Sequence, residues 1–109
     1  MPRIDLPATA AALPLAWHSR VLGEVADACV KVLRMDGRAV PEEVHEAAEV
    51  LVVLEGHLEL EVAGEPVRVV AGELYRVPAG VRHAVRPGSR GTLVIVERAV
   101  PVGQGEGKQ

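Results

Sequence analysis

Four side chains in this sequence are of types that bind metal ions, and turns could bring them together: Glu43, His45, Glu49 and His83. Glu43 and His45 are two positions apart, the repeat of an extended strand, so both can point to one face. Glu49 opens the next apolar run, and His83 follows a Pro78-Ala79-Gly80 turn. In an antiparallel barrel these points can meet inside. Imidazole nitrogen and carboxylate oxygen suit Fe, Mn, Ni, Cu or Zn. Taken alone, His45, Glu49 and His83 form a set of two histidines and one carboxylate, around which an ion keeps open positions for oxygen or substrate. A carboxylate inside an apolar barrel is costly unless it is paired or bound to metal, which favours a ligand role for Glu49. Glu43 neighbours Glu42 and has two readings, a fourth ligand or a solvated rim charge. His18 and His57 read as surface or turn residues. Tyr75, Arg76 and Arg82 have two readings, contact with a ligand or ordinary packing and surface charge, and the second is favoured.

The elements that would position these groups are short and β-like. Ala28 to Met35 is a strand candidate closed by Asp36-Gly37, a dipeptide typical of hairpins. Glu49 to Leu54 is an apolar run without clean alternation, as for a strand buried on both faces, and Gly56 ends it. Leu58, Leu60 and Val62 alternate with His57, Glu59 and Glu61, the period of a half-exposed antiparallel strand. Further strands run over Val67–Val70, Leu74–Val77, Val81–Val85 and Thr92–Glu97, separated by Gly- and Pro-bearing turns. Pro41 to Ala48 has good helix formers but is short, and reads as a strand end and a loop. Gly56, Gly72 and Gly80 have a turn role rather than a phosphate-binding one, because no helix follows them. About eight strands at this spacing suggest a closed or two-sheet antiparallel barrel.

Two stretches carry a family resemblance. Gly37, five residues, Glu43-Val44-His45, three residues, Glu49, six residues and Gly56 keep the spacing of the first cupin motif. Gly72, five residues, Pro78-Ala79-Gly80, two residues and His83 keep that of the second. The sequence therefore resembles small single-domain cupins over roughly residues 26–98. It departs from them where Glu43 replaces the usual first histidine and Pro87 the usual Asn. The resemblance implies an all-β, antiparallel double-stranded β-helix, a jelly-roll-like barrel. It also implies a divalent transition metal (Fe, Mn, Ni or Zn) at Glu43, His45, Glu49 and His83. Dioxygenase-, isomerase- and epimerase-like enzymes on small organic molecules share this fold with binding and sensing proteins. A metal-dependent enzyme is thus the first expectation, and a non-enzymatic, even metal-free, small-molecule binder is the alternative.

Composition bounds the rest. At 109 residues the chain makes one domain, expected as an irregular N-terminal arm (1–16), a barrel (17–100) and a flexible C-terminal tail (101–109). Apolar residues make up 49%, mostly Val, Ala and Leu, with one Trp, one Tyr and no Phe, which disfavours stacking on single-stranded nucleic acid. The net charge of −3 carries no basic stripe, so neither nucleic acid nor a membrane surface is an expected partner. Pro7 and Pro14 interrupt the apolar stretch Leu6–Ala16, unlike a signal peptide. Cys29, the single cysteine, is expected to be buried and unreactive, as in a cytoplasmic protein. Apolar surface on the arm and on Val50–Leu54 suggests a homodimer.

Overall fold

The computed structural model describes residues 3–99. The tail expected at 101–109 lies outside the described residues. Among the described residues the chain forms one short helix, α1 (Leu6–Ala12), and eight strands. These are β1 (Arg20–Val25), β2 (Ala28–Asp36), β3 (Val40–Glu43), β4 (Glu49–Val62), β5 (Glu65–Val70), β6 (Leu74–Val77), β7 (His83–Val85) and β8 (Arg90–Arg98). All pair antiparallel in one curled sheet of order β1-β2-β8-β4-β7-β3, with β5 and β6 also paired to β4. Among the described residues no helix is long and apolar enough to cross a membrane.

Strand β4 is the spine. Its first half pairs β8 on one side and β6 on the other, and its second half pairs β5 and β7. The sequence places a strand end at Gly56, but the strand runs through it. Gly56 and Gly91 are cross-strand partners, both with positive φ (78° and 114°). A Cβ on Gly56 would collide with the Arg90 carbonyl, and one on Gly91 with the Glu55 carbonyl. Here glycine permits close backbone approach and a bend inside the strand, rather than ending it.

Alternation sorts the side chains. Leu33 and Met35 of β2, Leu51 and Val53 of β4, and Leu93 and Ile95 of β8 are all buried in the barrel interior with Leu58, Leu60, Val77 and Val85. Each such residue contributes about 1.5–3 kcal/mol by leaving water. The run at Glu49–Leu54 is not buried equally on both faces. Glu49, Leu51 and Val53 are buried, while Val50, Val52 and Leu54 are half-buried on the outside.

The outer face is partly covered by α1, which corrects the expectation of an irregular arm. Ala10 packs on Val32 and Val94 in a second, smaller core. Pro7 lies in the first turn, where a missing N–H breaks no helical bond. Asp5 caps the start by accepting from the Ala8 N–H at 3.0 Å. Arg34 donates to the Ala10 and Leu13 carbonyls at the far end, at 2.8 and 2.9 Å. Asp36-Gly37 does not close a hairpin either: β2 pairs β1 and β8, and the chain crosses to β3, which pairs β7. Pro41–Ala48 is a strand end and a loop, as its residues suggest.

Candidate metal centre

The four candidate ligands arrive from three strands and one loop. Glu43 is the last residue of β3 and the register partner of His83, the first residue of β7. His45 lies in the loop after β3, and Glu49 begins β4. The Pro78-Ala79-Gly80 turn holds this loop in place. The Gly80 N–H donates to the His45 carbonyl at 2.9 Å, and Gly80 adopts φ 77°. One residue on, the Val81 carbonyl lies 3.1 Å from Nδ1 of His83. The second glycine-and-proline segment thus positions both histidines, one through its backbone and one through its ring.

The donor atoms converge. One ligand atom each from Glu43, His45 and His83 lie within 4.8 Å of one another. Glu49 adjoins both histidines: its Oε2 is 2.8 Å from His83 Nε2 and 3.8 Å from His45 Nε2. His45 Nε2 is also 3.2 Å from Glu43 Oε1. Two donors at right angles and about 2.1 Å from one ion stand roughly 3 Å apart, so these separations suit shared coordination. The ring centroids of His45 and His83 are 5.3 Å apart. Glu49 and His83 side chains are only 2% exposed, whereas Glu43 and His45 are 21% and 36% exposed. One side of the cluster is sealed and the other opens outward.

The sealed side is chemically incomplete. A carbonyl faces His83 Nδ1, so that nitrogen carries the proton and a neutral ring leaves a lone pair on Nε2. That lone pair would face a carboxylate oxygen. Despite their proximity, His83 Nε2 and both Glu49 oxygens are buried without any aligned hydrogen-bond partner. Either a proton or a metal ion must lie between such groups. The His83 ring is accordingly held above its usual imidazole range. The Glu49 carboxylate contributes most, burial opposes it, and the Val81 carbonyl and the charge of Glu43 add to the rise.

A family profile described as the cupin domain matches residues 32–97. The chain belongs to the cupin family. Cupin structures superpose on most of it. A cupin-2 domain containing protein from Shewanella frigidimarina shares 26% identity at a TM-score of 0.80, with 88% of this chain and 94% of that one covered. TT1209 from Thermus thermophilus shares 26% identity at a TM-score of 0.71, with 93% and 100% covered. KdgF from a Halomonas species shares the fold, at 20% identity and a TM-score of 0.66, with 76% and 79% covered. No curated protein matches the sequence.

Of the four candidates, the cupin barrel brings donor atoms of Glu43, His45 and His83 within reach of one ion, and Glu49 lies against the two histidines. His57 is a strand residue, with Nδ1 2.7 Å from Glu59 Oε2, away from the cluster. Val81 is the residue that sequence reasoning missed. It acts through its main chain, which leaves no trace in side-chain type beyond its place after the Pro-Ala-Gly turn.

Proposed function

We propose that this cupin holds a divalent transition metal through Glu43, His45, Glu49 and His83 and acts on a small organic molecule that approaches from the Glu43–His45 side. The observation that carries this reading is the buried contact of Glu49 with His83 Nε2 at 2.8 Å, with donor atoms of Glu43 and His45 gathered beside it. A bound ion would supply a Lewis acid with room for a ligand oxygen. The residues around it have distinct parts. Val81 fixes the tautomer of His83, Glu49 brings charge to the sealed side, and Glu43 and His45 form the exposed half that a ligand meets. With two carboxylates, the site favours harder ions such as Mn or Fe over what a three-histidine site selects. The same reading makes the protein a cytoplasmic homodimer. Cys29 is unpaired and buried, and Val25 and Leu74 leave apolar surface outside, at 73% and 59% exposure.

Elemental analysis of protein purified without added metal tests the centre. About one transition-metal ion per chain is expected, and none in the His83→Ala variant with the wild-type fold retained. Metal-free wild-type protein that also fails to take up Mn, Fe, Ni or Zn would end this reading.

A further inference from the structure

A cavity of about 410 Å³ lies beside the candidate metal centre, between residues 14–18, the end of β2 and β3. Its size is that of small-molecule sites, which span about 300–1,000 Å³. Glu43 belongs both to its lining and to the metal-ligand cluster. The cavity therefore meets that centre at Glu43, the one candidate ligand among its lining residues.

Trp17, the chain's only tryptophan, forms part of the wall. Its backbone sits at φ 66°, a region that bulky L-residues avoid. The residue is pinned there from two sides. Its N–H donates to the Arg34 carbonyl at 2.9 Å, and its indole Nε1 donates to Asp36 Oδ1 at 2.8 Å. The ring also packs on the barrel core. A rigid, half-buried aromatic plane held against backbone preference, beside Val40 and Pro41, forms the apolar side of a recess.

The charges lining the recess are not equally spent. Arg34 is engaged with the Ala10 and Leu13 carbonyls. Asp36 accepts from the Arg38 N–H at 3.1 Å and, less strongly, from the Trp17 indole, which together with the Arg38 charge hold its carboxyl below the usual range. Glu43 faces His45. The Arg38 guanidinium is 84% exposed and only 3.5 Å from Asp36 at its nearest approach, so its other donors are open. Exposed His18 lines the same recess. The open hydrogen-bond donors of the recess are thus on Arg38 and His18, next to an apolar wall.

We propose that this cavity is the ligand subsite of the metal centre and takes a small organic acid, with its carboxylate on Arg38 and His18 and its apolar body on Trp17 and Val40. Its link to the chemistry rests on the metal-site reading above. The single tryptophan reports on the test directly. Zinc-loaded protein is titrated with benzoate and hexanoate, and in parallel with benzyl alcohol and hexanol, while Trp17 emission is followed. Both acids are expected to shift the emission saturably, with the alcohols roughly tenfold weaker or more, as loss of a charge-assisted hydrogen bond implies. Arg38→Met should weaken acid binding by a similar factor and leave melting temperature and zinc content unchanged. Absence of a saturable response to either acid, equal responses to the alcohols, or unaltered acid binding by Arg38→Met would overturn the proposal. Zinc content of the same samples separates the two readings. Zinc-loaded protein that ignores the acids removes the subsite alone. Protein that binds acids but never zinc removes the metal centre and with it the role of the cavity as its subsite.

Discussion

His83 has its two ring nitrogens in opposed situations, one donating to a carbonyl and the other facing a carboxylate, and this sets two opposite pH dependences. In the metal-free protein the raised His83 value means that the folded state holds a proton more tightly than the unfolded chain. That contribution is fully present below the ordinary value of 6.5 and is lost as pH rises through the raised one. A metal bound as proposed would compete for the same nitrogen, so its binding should weaken as pH falls through that range. Melting temperature against pH should therefore decline above neutrality without metal and climb with metal at saturation. Parallel curves would mean that no ion reaches His83. Among the candidate ligands, Glu43→Gln should weaken metal binding without abolishing it, because Glu43 is far more exposed than Glu49 or His83, and calorimetry measures the difference. At Cys29, burial pushes the thiol above its usual value against the pull of Lys31, which is itself held by Glu97 at 2.7 Å. A thiol reagent should label Cys29 stoichiometrically only after denaturant is added.

At the level of elements, the glycine contact between β4 and β8 has the least room to change. Gly56→Ala must place a Cβ into the Arg90 carbonyl at a positive φ, so the loss should be about 3 kcal/mol or more, read by urea unfolding. By contrast, Asp5→Ala removes a cap from a short surface helix and should cost only about 1 kcal/mol. The strands from β4 to β8 were legible because Val and Leu alternate between Gly- and Pro-bearing turns. Three features were not. Strand β1 is largely exposed along its length and contains Gly23, so it carries no apolar alternation. Gly56 reads as a stop in one dimension, whereas only the partner strand shows why a glycine is needed. Helix α1 was hidden because Pro7 is disruptive in a helix interior yet harmless in a first turn.

For the whole molecule, the candidate site was legible as a set of residues because its two segments keep a shared spacing, and the barrel is what makes that spacing converge. Which carboxylate lies deep was not legible, since burial depends on where β4 and β7 enter the wall. The outer face predicts assembly. Val25, Leu74 and Val21 leave apolar surface that a second copy would cover, so sedimentation at micromolar concentration should show a dimer, and a monomer would contradict it. Strand β3 has one further consequence. It stands at the end of the strand order and is held by β7 through the pairs Val40–Val85 and Glu43–His83, with an irregularity between them. The strand that delivers Glu43 is thus among the most weakly fastened. In amide hydrogen exchange, residues 40–45 of the metal-free protein should open long before β4, at a free energy well below global unfolding. An ion joining Glu43 to His83 would tie that edge to the spine, and slowed exchange confined to this segment would be the sign that the metal closes the barrel as well as serving its chemistry.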